Sequence, residues 1–247
     1  LSERQTFDPA AIGALIFDVF GTVVDWRGSI IREGETRWKA RGIDIDWARF
    51  ADDWRKQYQP QMQRVRSGEI PWTNLDALHR ESLDQLLADR GIDLAEAERA
   101  ELNRAWHRLE PWPDAVAGLT ELRKRYILAT MSNGNVRLMV DMARHGGLPW
   151  DAILGAEIAK HYKPDPEAYL TTVGLLGLRP HEVLMVAAHP EDLDAAARCG
   201  LRTAFVPRPM EFGAERMARV VERGEAAAPR FDVVAPDFPA LAVALGV

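Results

Sequence analysis

The sequence predicts an α/β protein, a doubly wound and mostly parallel sheet with an all-helical domain inserted after its first strand. Three observations carry this. Short apolar runs at 14–17, 126–131, 183–188 and 203–206 are each followed by polar or helical sequence, the rhythm of strands joined by crossover helices. Residues 28–110 instead keep an apolar spacing of three and four. Polar residues close the runs, at Asp18, at Ser132 and Asn133, and at His189. The carboxyl ends of strands are where open α/β sheets bind ligands. The expected division is a discontinuous core of 10–27 and 111–247 around a helical cap of 28–110.

Each element has a local reason. The first strand ends at Phe17, because Asp18 is the first charge after it and Gly21 breaks the chain. A helix over 29–41 stops at Gly42. A second opens behind Asp46, a natural N-cap, and carries Trp47, Phe50, Trp54 and Tyr58 at helical spacing toward Pro60. Thr73-Asn74-Leu75-Asp76 fits a capping box, and the helix behind it aligns Leu75, Leu78, Leu83, Leu86 and Leu87. A helix over 94–109 ends at Pro111-Trp112-Pro113. Trp38, Trp47, Trp54, Trp72 and Trp106 supply a small helical core. Asp114 then caps a helix to Lys124, and strands at 126–131, 152–157, 183–188 and 203–206 alternate with helices at 135–145, 166–176 and 192–199. Residues 207–229 are polar and punctuated by Gly and Pro, with one weak helix, before a last strand at 231–234.

Composition narrows the class. At 247 residues the chain can bury a sizeable core, and 47% apolar with 28% charged residues is ordinary for a globular protein. The net charge of -6 argues against nucleic acid as a partner. Ser2-Glu3-Arg4-Gln5 is polar, and no apolar run approaches the roughly 20 residues of a membrane span. No membrane partner is expected, and cytoplasm is the expected compartment. The single Cys199, just before Gly200, excludes an internal disulfide and reads as a small buried residue.

Four segments carry the chemistry, in the order Asp18-Val19-Phe20-Gly21-Thr22, Ser132-Asn133-Gly134, Lys163-Pro164-Asp165, and Val186-Ala187-Ala188-His189-Pro190-Glu191-Asp192. Their order and intervals resemble the haloacid dehalogenase superfamily across nearly the whole chain. The resemblance implies a Rossmann-like core with an inserted cap and a nucleophilic aspartate at Asp18. In the superfamily's phosphatases a second aspartate follows the nucleophile by two positions, and an aspartate in the last motif holds magnesium. Phe20 and Ala188 stand there in this chain, and neither transfers a proton nor binds a hard cation. Halide leaves without a proton, so a lone carboxylate is enough to displace it. The pattern is similar to the type II, or L-2-haloacid, dehalogenases.

That resemblance implies a role for each residue. Trp54-Arg55 is similar to the family's W-R segment, which makes Arg55 the halide cradle; without the resemblance it reads as an exposed helix arginine. Asn133 contacts the halide with its amide, and Trp72 lies near the aromatic halide wall. Ser132 and the backbone N–H groups of Val19 and Phe20 hold the substrate carboxylate. Lys163 neutralises the nucleophile, Tyr169 supports Lys163 or the entrance, and Thr22 orients Asp18 or caps the following backbone. In the last motif Ala187 and His189 replace a serine and an asparagine, while Asp192 matches the aspartate. His189 and Asp192 form a base and its orienter for ester hydrolysis, or His189 is a structural loop histidine, or it joins the halide cradle. His79, His107, His145, His161 and His181 match no motif and are expected at the surface or in caps.

The implied activity is hydrolysis of short 2-haloalkanoic acids through an aspartyl ester, extending to fluoroacetate on the strength of His189. No metal or other cofactor is expected, and the resemblance implies a homodimer. Two alternatives stay open, a phosphatase of the same superfamily and a catalytically silent ligand-binding member.

Overall fold

The structure is a computed structural model and describes residues 7–247. The stretch Ser2-Glu3-Arg4-Gln5 lies outside the described residues. The chain opens with β1 (Ala14–Phe17) and β2 (Val24–Asp25), then runs through α1 (Trp26–Glu33), α2 (Trp47–Lys56), α3 (Tyr58–Arg66), α4 (Leu75–Asp89) and α5 (Glu96–Asn103). It returns through β3 (Glu110–Pro111), α6 (Ala115–Leu122), β4 (Ile127–Ser132), α7 (Val136–Gly146), β5 (Ala152–Gly155), α8 (Ala156–Ala159) and α9 (Pro166–Leu175). It closes with β6 (Val183–Ala187), α10 (Pro190–Arg198), β7 (Arg202–Phe205), α11 (Met217–Ala227), β8 (Val233–Val234) and α12 (Phe238–Ala244).

Six strands form one parallel sheet in the order β5-β4-β1-β6-β7-β8. The central strand β1 pairs Phe17 with Thr130 on one side and with Val186 on the other. This register places the ends of β1, β4 and β6 side by side, so Asp18, Asn133 and Ala188 emerge at one edge. Both faces of β1 are covered, Leu15 and Phe17 facing one apolar cluster and Ile16 the other. Such two-sided burial explains why the strand reads as a continuous apolar run.

The helices α1 to α5 leave and return through the short antiparallel pair β2–β3, with Val24 opposite Pro111 and Asp25 opposite Glu110. That pair was not legible in the sequence, because two residues a side carry no period. The apolar cluster on the Phe17 face continues unbroken into the helical segment, through Trp26, Trp38, Phe50, Trp54 and Trp106. Three local expectations change. The helix behind Asp46 bends at Gln57 and resumes through Pro60, which sits in the first turn of α3 where no N–H is needed. The helix expected over 29–41 is α1 followed by a π turn and a 3-10 turn that ends at Gly42. Asp114 precedes α6 without capping it, since Arg208 and the Phe238 N–H take its carboxylate. α12 was missed altogether; its Phe238, Leu241 and Ala242 pack into the core.

Cys199 caps α10, half-buried, and burial pushes its thiol up, away from reactivity. Among the described residues no helix is long and apolar enough to cross a membrane.

Candidate active site

Asp18 sits one residue past β1, and its N–H still donates to the Val186 carbonyl at 3.0 Å. The backbone is thereby fixed while the carboxylate leaves the sheet edge. Gly21 then turns the chain with φ +86°, and a Cβ there would come within 2.2 Å of Glu211 Oε1. The turn brings Thr22 back beneath the nucleophile. Its hydroxyl donates to Asp18 Oδ2 at 2.6 Å and accepts from the Ala188 N–H at 2.9 Å. Thr22 therefore both orients the carboxylate and ties β1 to the end of β6.

Two cations hold Asp18. Lys163, on the loop before α9, donates to Asp18 Oδ1 at 2.8 Å and also to Asp192, while its backbone N–H donates to Asn133 Oδ1 at 2.8 Å. His189, the residue that starts α10, places Nδ1 3.0 Å from Asp18 Oδ2 and Nε2 2.9 Å from Glu211 Oε2. Glu211 in turn accepts from Trp26 Nε1 at 3.1 Å. Asp192, in the first turn of α10, accepts from the Tyr169 hydroxyl at 2.5 Å.

Burial alone would push the Asp18 carboxyl up, but Lys163 and His189 outweigh it and hold the group well below the usual range. Burial also opposes the charges of Lys163 and His189. For Lys163 the Asp18 and Asp192 carboxylates reverse the outcome and raise it above its ordinary value. For His189 the Glu211 and Asp18 carboxylates do the same and favour the protonated ring. Asp192, unlike Asp18, is raised, by burial and by the Asp18 charge against the pull of Lys163.

Above these groups lies a cavity of about 680 Å³, lined among others by Asp18, Phe20, Asn133, Lys163, His189 and Asp192. Arg55 reaches into it from α2. Its guanidinium lies 3.9 Å from the centre of the Tyr58 ring and 5.3 Å from that of Trp26. Its Nη1 is buried with no hydrogen-bond partner. Such a group is costly to leave unmet and is suited to an anion. Arg66, Arg198 and Arg223 line the outer wall.

Of the residues singled out in the sequence, Asp18, Phe20, Arg55, Asn133, Lys163, Tyr169, His189 and Asp192 line this one cavity, with Thr22 beneath it. The side chains of three others lie outside it. Trp72 does not line the cavity; its ring stacks on Tyr162 at 4.8 Å, and the Tyr162 hydroxyl pins that loop by donating to the Thr73 carbonyl. Ser132 is fully buried behind the wall, where its Oγ accepts from the Gly134 N–H at 3.0 Å. Val19 is also fully buried, and its carbonyl accepts from the N–H groups of Val23 and Val24.

The expected pairing of His189 with Asp192 is corrected as well. They are close in sequence, but the start of α10 turns them apart, His189 to Asp18 and Glu211, Asp192 to Lys163 and Tyr169. Glu211 was missed, since it lies in the irregular stretch after β7; the one signal was a lone acid between Met210 and Phe212. His79 and His107 are not at the surface. His79 stacks on Trp106 at 4.3 Å, and His107 is held between Asp76 and Asp141 at 3.0 and 2.9 Å. His145, His161 and His181 are exposed.

The residues do not fit the magnesium ion that the superfamily's phosphatases use. Lys163 and His189 already face both oxygens of Asp18, and Phe20 and Ala188 offer no oxygen ligand from their side chains.

The chain matches the family model described as haloacid dehalogenase-like hydrolase over residues 12–200. The structure of the L-2-haloacid dehalogenase PA0810 is 46% identical, with a TM-score of 0.90 over 95% of this chain and 98% of that one. The defluorinating L-2-haloacid dehalogenase Rha0230 is 43% identical, with a TM-score of 0.91 over 98% of this chain and 100% of that one. An L-2-haloacid dehalogenase from Xanthobacter autotrophicus, solved with chloropropionic acid covalently bound, is 25% identical with a TM-score of 0.76, over 94% and 97% of the two chains. The catalytic edge of the sheet and the chain-long likeness agree: this chain belongs to the haloacid dehalogenase-like hydrolases.

Proposed function

We propose that this enzyme hydrolyses short (S)-2-haloalkanoic acids through an ester on Asp18. The observation that carries the reading is an ionised Asp18 at the floor of a cavity whose far wall holds Arg55 with an unmet N–H. A carboxylate kept anionic by Lys163 and aligned by Thr22 attacks the α-carbon from the face opposite the halide. Arg55 and the Asn133 amide receive the halide as charge develops on it, and the Val19–Phe20 turn offers backbone N–H groups to the substrate carboxylate. Asp192 and Tyr169 hold Lys163 in place. Inversion at carbon results, so an (S)-2-haloacid gives an (R)-2-hydroxy acid. The solved relative with chloropropionic acid covalently bound supports an ester intermediate.

Residues 28–110 act in this reading as a cap that brings Arg55 over the core. The substrate class extends to fluoroacetate. Fluoride is a poor leaving group without strong donors, and the unmet N–H of Arg55 supplies one across the cavity from Asp18. The likeness to a defluorinating relative points the same way. The reaction proceeds without metal, given that the donors around Asp18 are cations.

Halide release from fluoro-, chloro- and bromoacetate and from (S)-2-chloropropionate tests the reading, with an (R)-hydroxy acid as product and full activity after exhaustive chelation. Turnover of a phosphoester restored by magnesium, with no halide from any haloacid, would return the chain to phosphoryl transfer.

A further inference from the structure

We propose that Glu211 is the positioning residue of a His189–Glu211 pair that activates water for hydrolysis of the Asp18 ester. This rests on the dehalogenase reading and names the group that completes its second half. The arrangement is a line of three, Asp18 Oδ2 to His189 Nδ1 at 3.0 Å and His189 Nε2 to Glu211 Oε2 at 2.9 Å. Glu211 is 2% exposed and is fixed by Trp26 Nε1 on one oxygen and by the glycine turn at Gly21 against its carboxylate. Asp192 is not free for this task, since both its oxygens are engaged by Lys163 and Tyr169.

The chemistry balances. In the resting enzyme Asp18 is anionic and His189 carries a proton. Displacement makes one carbon–oxygen bond at Asp18, breaks the carbon–halogen bond and releases halide. The ester has no charge, so His189 loses one of its two anionic neighbours and gives its proton to solvent. That is the one proton the overall hydrolysis releases. A second cavity, of about 350 Å³ and lined by His189 and Glu211, adjoins the pair and provides the exit. Neutral His189 then takes a proton from a water at Nδ1, and hydroxide attacks the ester carbonyl carbon. Collapse breaks the bond from Asp18 carbonyl carbon to the ester oxygen. The hydroxy acid leaves with the hydroxyl proton, and Asp18 and imidazolium are restored. Glu211 keeps Nδ1 aimed at the ester throughout, and its charge sets how readily His189 gives up and regains the proton. The charged groups bonded to the ring are Asp18 and Glu211; Lys163, Glu191, Asp192 and Arg55, Arg66, Arg198, Arg208, Arg216, Arg219 and Arg223 line the two cavities that meet at it.

The test is rapid-quench turnover of (S)-2-chloropropionate, reading chloride and the mass of the enzyme across pH, in wild type, Glu211→Gln and Glu211→Asp. Glu211→Gln should release one equivalent of chloride promptly and then accumulate ester, whose hydrolysis falls on the order of tenfold to a hundredfold. Without the Glu211 charge His189 loses its proton more easily, so the rising limb of the hydrolysis rate moves to lower pH; Glu211→Asp should move it back toward wild type. Equal slowing of chloride release and ester hydrolysis with an unmoved limb would reduce Glu211 to packing. If Glu211→Gln does not fold, Glu211→Ala takes its place, and wild-type rates with a wild-type limb in that variant overturn the proposal. NMR titration of His189 in the free proteins separates this proposal from the reading beneath it. A midpoint lowered by loss of Glu211 supports the pair even where no haloacid is turned over, and an unmoved midpoint overturns the pair even where the wild type is fully active.

Discussion

The core side and the cap side of the cavity treat buried polar groups in opposite ways. On the core side Asp18, Lys163, Asp192, His189 and Glu211 satisfy one another, and each is pinned by a second partner such as Thr22, Tyr169 or Trp26. On the cap side Arg55 Nη1, both nitrogens of His79 and Trp106 Nε1 are buried with no partner, among stacked aromatic rings. Mutual pairing fixes a nucleophile in one geometry before substrate arrives. An unmet donor waits for a ligand, because an anion relieves the desolvation it has already suffered. In the proposed reaction the difference separates Asp18, which attacks, from Arg55, which receives the departing halide.

Breaking the core side has the largest effect. Asp18→Asn should abolish turnover with the fold intact, measured by halide release beside circular dichroism. Single turnover in labelled water should place solvent oxygen on wild-type Asp18, and label reaching the product first would sink the covalent route.

Breaking the cap side comes next. Arg55→Met should cut halide release by about a hundredfold, the usual loss for one donor aimed at developing charge. Bromide should raise the melting temperature of the wild type and leave Arg55→Met unmoved, because a ligand that binds the folded state stabilises it. Equal shifts in both proteins would place the anion elsewhere.

The two buried cap histidines sharpen the contrast through pH. Burial among aromatics pushes His79 down to about 3, so between about 3 and its ordinary 6.5 the unfolded chain binds the extra proton. Stability therefore rises with pH through that window, and His79→Phe should flatten the acid limb by a few kcal/mol in denaturant titrations across pH. For His107 burial is outweighed by Asp76 and Asp141, which raise it. Its contribution is present below 6.5 and is lost as pH rises through the folded value. An acid limb unchanged in His79→Phe would mean that His79 finds a partner.

The smallest effect is expected at Trp72. With its ring stacked on Tyr162 outside the cavity, Trp72→Phe should leave halide selectivity unchanged while lowering stability slightly. A change in the ratio of fluoride to chloride release would put Trp72 back at the halide.

Several parts of this picture are properties of the sequence alone. The apolar runs before Asp18, Asn133 and Ala188 fix three parallel strands, because a strand buried on both faces must be apolar throughout. The residues beyond each run fall at the same sheet edge, which is why Asp18 and Asn133 could be placed together, whereas the roles of Lys163 and Asp192 rest on the family resemblance. Asp46, Asn74 and Gly42 set helix ends through their own backbone chemistry. Other parts arise only from packing between distant segments. Glu211 meets His189 across 22 residues of chain and Trp26 across 185, and no local pattern encodes either contact. Trp72 and His79 show the same limit in reverse, since a side chain's type gives its appetite for burial but not its neighbours. Whether His189 turned to Asp192 or to Glu211 was decided at the start of α10, where His189 has extended backbone before the helix and Asp192 lies within it, so the two reach different partners.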